Sequence, residues 1–461
     1  MSEKYIIAIE PGSSKIKGAL GVVDSTGTLT VKGIEEERLV DAVEYGRVRN
    51  VGAASVAVRN ILNRMEALLP GRRITGVHVA LGGRSMGLMQ KTVSRRLPED
   101  TVVTVEHLKS MAHEAYDTVL PERDIVATTI REVRVDGRTV HKAVGTFGRQ
   151  IDVVFNLVNL RNQMKRNLSH VLENQLHLKT RSYPVRQLAE AALVLKEHQR
   201  ELGCMLVDFG AETTTVSIYK DNVLLYLATL PLGSRNITRD IMTLSHLEDT
   251  AEKMKCNSGD AQPTPAQEGD MPAYTEMNNL VAARAGEIIA NIVNQLKIAG
   301  VTPEQLPEGI VLVGGGAKLR GFAQRLEEES GLRVYQGMPV YGVKIADSRI
   351  RPDENIDILS VLEFAARTSD DCTEEIVQTF ITDPMDEPDP EPTPEPNPKP
   401  YPRPTPKSRP ADEPKIPAKS GNGKKGGIKT VGGNFLSGIK RRMEQLMEEK
   451  DIEDDDLRDD D

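Results

Sequence analysis

A carboxylate at the end of a short apolar strand, followed at once by a turn of glycine and hydroxyl residues, is chemistry suited to phosphate. The chain carries that arrangement twice. Tyr5 to Glu10 read as a strand and lead into Pro11-Gly12-Ser13-Ser14-Lys15. Much later, Met205 to Phe209, with Asp208 near the end, lead into Gly210-Ala211-Glu212-Thr213-Thr214 and a second strand, Val216 to Tyr219. Small residues let backbone N–H groups approach phosphate oxygens, the hydroxyls of Ser13, Ser14, Thr213 and Thr214 add donors, and Lys15 can pair with phosphate charge. Glu10 and Asp208 can hold Mg²⁺ through water. Strand-Gly-Ser turns are common, so one hairpin alone says little, but two facing one another would clamp a nucleotide. A third element points the same way: Ile310 to Val313 lead into Gly314-Gly315-Gly316 and then a helix expected from about Leu319. Three glycines there let a purine or ribose lie against the backbone, with the helix N-terminus directed at phosphate.

Those turns need a scaffold, and from residue 1 to about 382 apolar runs alternate with amphipathic stretches and Gly or Asp punctuation, as a mixed α/β protein reads. Pro184 to about Leu202 read as a helix connecting two halves, and Leu280 to Ile298 as a second long helix. The chain has 461 residues, enough for two or more domains with cores of their own. Cys204, Cys256 and Cys372 are far apart and form no CxxC pair, so a reducing compartment without disulfides or a metal cage is expected. The opening MSEKYIIAIE has neither a basic leader nor a long apolar core, and no stretch reaches transmembrane length. Trp is absent and Phe scarce, with no Arg-rich stripe, which disfavours a nucleic-acid partner.

Composition changes abruptly after residue 382. Fourteen of the thirty-five residues from Asp383 to Pro417 are proline, too many for a packed core. At roughly 3.1 Å per residue, a tether from Asp383 to Gly433 would reach on the order of 150 Å. From Asn434, the segment NFLSGIKRRMEQLMEE places Phe435, Leu436, Ile439, Met443, Leu446 and Met447 within a helical sector of roughly 120°. Lys440 borders that sector, and Lys424, Lys425 and Lys429 precede it. This is the pattern of an interfacial helix on an anionic membrane; a helix docking on protein is the plainer alternative. Glu448 to Asp461 hold ten acids and two bases, which accounts for −8 of the formal charge of −9. Attraction to lipid must therefore come mostly from the apolar face, at ~0.8 kcal/mol per buried CH₂.

The order strand-GSSK, strand-DxGxxTT, strand-GGG resembles the superfamily of actin, Hsp70 and sugar kinases. Within it, residues 86 to 160 resemble the bacterial cell division family FtsA. Thr104 caps a helix that begins Val105-Glu-His-Leu, Leu120-Pro-Glu-Arg-Asp-Ile-Val precedes a strand, and Ala143-Val-Gly-Thr-Phe-Gly-Arg-Gln-Ile-Asp-Val looks like the family's PxGxxGxxLExxV strand. Leu232-Gly-Ser-Arg-Asn-Ile-Thr-Arg-Asp-Ile looks like its GGxxxTxDI segment and Ala251-Glu-Lys-Met-Lys like its AExxK helix. Glu252 and Lys255 share a helical face, and the superfamily uses that pair near the adenosine.

The resemblance implies an α/β, actin-like (ribonuclease H-like) two-domain ATPase fold. Its expected divisions are 1A at 1–85 and 161–183, the interaction module 1C at 86–160, 2A at 184–236 and 307–382, and 2B at 237–306. A disordered Pro-rich linker at 383–433, an amphipathic membrane helix at 434–448 and an acidic tail at 449–461 follow. It further implies ATP and Mg²⁺ as ligands, self-assembly into filaments, and a grip on the FtsZ C-terminal peptide by the second half. Later division proteins are expected on 1C, and the location is peripheral, on the cytoplasmic face of the inner membrane at the division site. Two departures bear on the phosphate site: Glu10-Pro11 stands where the family has Asp-x, and Ala211-Glu212 where it has glycines. A carboxylate at Glu212 would repel a γ-phosphate, and no residue clearly positions an attacking water, so at most weak ATPase activity is expected. The alternatives are a pilus-assembly ATPase resembling PilM and a small-molecule kinase of the same superfamily.

Overall fold

Runs such as Ile6-Ile7-Ala8-Ile9 are apolar on both faces, as central strands covered on two sides must be. Lys4–Pro11 (β1), Lys15–Val23 (β2) and Leu29–Arg38 (β3) form an antiparallel meander. Val43–Glu44 (β4) and Arg47–Val48 (β5) make a small hairpin beside it. Asn50 caps the helix Val51–Glu66 (α1), which packs on β2 and β3. The computed structural model describes residues 3–38, 41–262, 272–340, 343–367 and 371–375. The segments read above as linker, membrane helix and acidic tail lie outside these.

After Arg72–Ile74 (β6), Gly76–Val79 (β7) joins β1 in parallel. The chain then leaves the sheet. Gly87–Val102 (β8), Val105–Tyr116 (α2), Arg123–Val135 (β9), Arg138–Thr139 (β10) and Phe147–Arg161 (β11) form a four-stranded sheet, order β10-β9-β11-β8, with a core of its own around Met111, Ile151, Val153 and Phe155. Thr104 accepts the His107 N–H at 3.3 Å at the start of α2, the cap its sequence predicts. Asn162–Ser169 (α3) returns the chain to Lys179–Ser182 (β12), parallel to β7.

The second half repeats this plan. Cys204–Phe209 (β13), Thr214–Lys220 (β14) and Val223–Leu230 (β15) form a meander, and Ile310–Val313 (β16) and Val334–Gln336 (β17) add in parallel, giving the order β15-β14-β13-β16-β17. The order β3-β2-β1-β7-β12 in the first half is the same, with Lys344–Ile345 (β18) added beyond β3.

Helices differ from expectation in two places. The stretch from Pro184 to Leu202 is two helices, Arg186–Val194 (α4) and Glu197–Leu202 (α5), because Leu195 is extended and breaks the run. Pro272–Ala299 (α8) begins earlier than the expected Leu280 to Ile298, and its main contacts are not with α4. It packs in the second half against Ser234–Met242 (α6), Phe322–Ser330 (α9) and strands β14 and β15, while Glu248–Ser258 (α7) packs on α6. The partner of α4 is instead Ile356–Ala366 (α10), which also packs on β1 and β2.

The expected extent 307–382 of the second half is also too long. β18 pairs with β3, α10 lies on the first sheet, and Thr373–Glu375 (β19) pairs with β6, so the described residues from 344 onward belong to the first half. Apolar side chains from α4, α10 and both sheets share one core, including Ile6, Val185, Leu206, Val311 and Leu362.

Candidate functional site

The two hairpin mouths meet across α4. Its first residue, Arg186, bonds the Leu81 carbonyl through its backbone N–H at 2.8 Å, which anchors the helix to the first half. Its side chain then spans both halves. Nη1 lies 2.7 Å from Glu10 Oε1 on β1, Nη2 bonds Asp208 on β13, and Nε is 3.5 Å from Glu190 one turn along α4. Glu10, Asp208 and Glu190 are all buried. Burial raises the carboxyls of Glu10 and Asp208 above the usual range, and the attraction of Arg186 offsets this only in part. Glu190 is pushed well up by burial and then by the nearby Asp208 charge, and its Oε2 has no hydrogen-bond partner among the described residues.

Lys17, directly across the ladder from Glu36 and two places after Lys15, is buried as well. Its Nζ lies 2.8 Å from Asp357 Oδ1 and 3.2 Å from both Asn355 Oδ1 and the Glu354 carbonyl at the start of α10. Burial opposes the charge on Asp357, but Lys17 and the Ile358 amide outweigh it and hold the carboxyl below its ordinary value.

A second set of charges spans the turns themselves. The buried Glu212 accepts the Tyr45 backbone N–H at 2.7 Å through Oε2 and Arg235 Nη1 at 2.9 Å through Oε1, with Arg239 at 3.4 Å. Arg235 Nη2 in turn donates to the Ser13 carbonyl at 3.1 Å. One carboxylate and one guanidinium thus stitch the second turn to the first. Gly233 makes this approach possible: a Cβ there would lie 2.3 Å from the Ala211 carbonyl oxygen, and the adjoining Ser234 and Arg235 amides bond the carbonyls of Gly210 and Ala211.

The expected phosphate ligands divide. Ser13 faces the second turn through that network, with its Oγ accepting the Gly46 N–H at 3.4 Å, while the Gly12 N–H turns back to the Glu10 carbonyl at 3.2 Å. Gly210 closes its turn onto the Thr213 carbonyl at 2.9 Å, and Thr214 Oγ1 donates to the Leu232 carbonyl at 2.8 Å. Ser14 is exposed, and Lys15 is drawn away to Glu36 on β3 at 2.5 Å. Glu252 and Lys255 do pair, at 2.7 Å, with the Glu252 side chain about half exposed. Lys255 is buried and also donates to Thr238 Oγ1 at 2.9 Å and the Ser234 carbonyl at 3.2 Å, fixing α7 to α6.

Gly314 has φ +94, and Gly316 lies against the Phe209 ring, where a Cβ would be 2.7 Å from Cδ1. Gly315 to Lys318 form a 3-10 turn and α9 begins only at Phe322, a few residues later than expected. A Cβ on Gly315 would meet nothing within 4 Å, so that backbone is open to a ligand.

Glu10 and Asp208 were the expected Mg²⁺ carboxylates. Both are engaged by Arg186, and no group of three or more His, Cys, Asp or Glu side chains among the described residues is arranged to hold a metal ion. These residues do not fit Mg²⁺. Arg186 and Arg235 carried no expectation from sequence; their acid partners Glu10, Asp208 and Glu212 are what a buried charge requires, but they lie far off in the chain. The segments carrying Phe435, Leu436, Ile439, Lys440, Met443, Leu446 and Met447 lie outside the described residues.

Two sheets of one repeated topology, facing turns between them and a helix pair beneath define a two-lobed, actin-like α/β protein. The solved PilM-PilN type IV pilus biogenesis complex has this fold: the match covers 78% of this chain and 98% of that one, with TM-score 0.56 and 16% identity. The model of the family described as cell division protein FtsA matches residues 205–369. Cell division protein FtsA of Porphyromonas gingivalis is 30% identical over 386 residues, 80% of this chain and 79% of its own. That of Escherichia coli K12 is 25% identical over 378 residues, 76% and 87%. The chain belongs to the FtsA family of cell division proteins.

Proposed function

We propose that the chain is a membrane adaptor of cell division that binds ATP between its halves and assembles into actin-like filaments. In this reading the second half holds the FtsZ C-terminal peptide and residues 434–448 attach the division ring to the cytoplasmic face of the inner membrane. The four-stranded module receives later division proteins. The observation that carries the reading is that module, β8 to β11, inserted between β7 and β12 in a chain of this family. Attachment in this reading runs through the apolar face at Phe435 to Met447.

The adenosine side is best served by the open backbone at Gly315 and the face carrying Glu252 and Lys255. The likeness to the PilM-PilN complex keeps a pilus-assembly role as the second reading. Sedimentation with anionic liposomes, using the full chain and a chain lacking 434–447, separates the two. The adaptor reading expects the full chain to pellet with lipid, the truncated chain to stay in solution, and both to retain a peptide ending like the FtsZ tail. Full-length protein that ignores both lipid and peptide would refute it.

A further inference from the structure

We infer that Arg186 is the resident cation of the cleft, standing between the halves where a divalent ion would otherwise bind, so that the cleft neither needs nor takes up Mg²⁺. The inference deepens the nucleotide reading and, for its nucleotide arm alone, rests on it.

Glu10 closes β1 and Asp208 closes β13, equivalent positions in two sheets of the same topology. Each stands at the mouth of a turn, one in each half, and both are buried. Two like charges held so close need a cation between them. A hydrated Mg²⁺ is one solution, bridging through its waters. This chain uses another: a guanidinium whose Nη1 lies 2.7 Å from Glu10 and whose Nη2 bonds Asp208. A planar fork with donors in fixed directions suits this task, and unlike a metal it cannot be chelated or exchanged.

The surroundings are built for the arginine. Its Nε lies 3.5 Å from Glu190 Oε1. A cation at the first residue of a helix opposes the helix dipole, and the carboxylates compensate that cost. A divalent ion bridging Glu10 and Asp208 would have to share the space between them with a fixed positive charge. Glu212 supplies the corresponding negative charge between the turns, so contacts of both signs across the cleft come from the chain itself.

The test uses the full-length chain, its R186Q and R186K variants, and three readouts. Mn²⁺ alone, followed by electron paramagnetic resonance, is expected to stay free in the presence of wild type and R186K and to bind R186Q, in which Glu10 and Asp208 are left without their cation. Thermal midpoints in EDTA and in Mg²⁺ are expected to coincide for wild type and R186K, and to be lower in EDTA for R186Q. ATP affinity of the wild type is expected to be the same within about twofold in EDTA and in Mg²⁺, whereas R186Q should need the metal for about tenfold tighter binding. If R186Q does not fold, the wild-type and R186K arms decide. ATP that binds under neither condition refutes the nucleotide reading, while the Mn²⁺ and thermal arms still judge Arg186. Wild type that binds Mn²⁺ with one-to-one stoichiometry, or that loses about tenfold in ATP affinity in EDTA, overturns the proposal.

Discussion

Glu190 shows how the cleft handles more acid than it can neutralise. It shares its surroundings with Glu10, Asp208 and Asp357, against the cations Arg186 and Lys17, and burial pushes its carboxyl well up. In the folded protein it therefore gives up its proton less readily than in the unfolded chain. The stability this contributes is complete below the unfolded value near 4.5 and is lost as pH rises through the raised folded value. Glu190→Gln mimics the protonated acid and does not titrate. Urea midpoints at a series of pH values should show E190Q gaining on the wild type from acid to neutral pH; a difference that does not change with pH would count against this. Of the residues concerned, Glu10, Asp208 and Glu212 were legible from sequence because each is a carboxylate beside a small-residue turn. Arg186, Lys17 and Arg235 were not, since their partners lie far off in the chain and only the paired sheets bring them together.

Among the elements, the two hairpins and the strand leading into the glycines could be read directly, because continuous apolar runs broken by Gly leave few alternatives. The helices were harder. An apolar helix packs equally well beneath a cleft or inside one lobe, so the sequence could not say where α8 would lie, and α10, short and mostly apolar on its buried side, gave no sign that it is the partner of α4. The turn after β16 depends on one conformation: Gly314 has φ +94, and a Cβ there would lie 2.5 Å from the Phe209 carbonyl oxygen and 2.6 Å from Asp208 Oδ1. Gly314→Ala combines strain with a clash against backbone. It should cost about 2 kcal/mol or more in chemical denaturation. A loss below about 0.5 kcal/mol would mean that the turn can rearrange freely.

For the whole molecule, the four-stranded module is tied to both halves. β11 runs from the module's core at Phe155 to the first half's core at Leu160, and between them the buried Asn156 donates through Nδ2 to the Leu224 carbonyl on β15 at 2.7 Å. Arg131 on β9 donates to the neighbouring Leu225 carbonyl at 3.1 Å. Asn156→Ala leaves a carbonyl without its donor, and is expected to lower stability by about 1 to 3 kcal/mol. Hydrogen exchange should quicken along Val223–Leu230; an unchanged rate there would show that the module does not hold that strand. The contact of this module with β15 could not be read from the sequence, because Asn156 sits in an apolar strand with no local partner. That contact also bears on how copies of the molecule can associate. β15 is the outermost ribbon of its sheet, and such margins invite a foreign strand to zip alongside. Here two successive carbonyls are already occupied by side chains of the same molecule, which disfavours a foreign strand pairing at this flank.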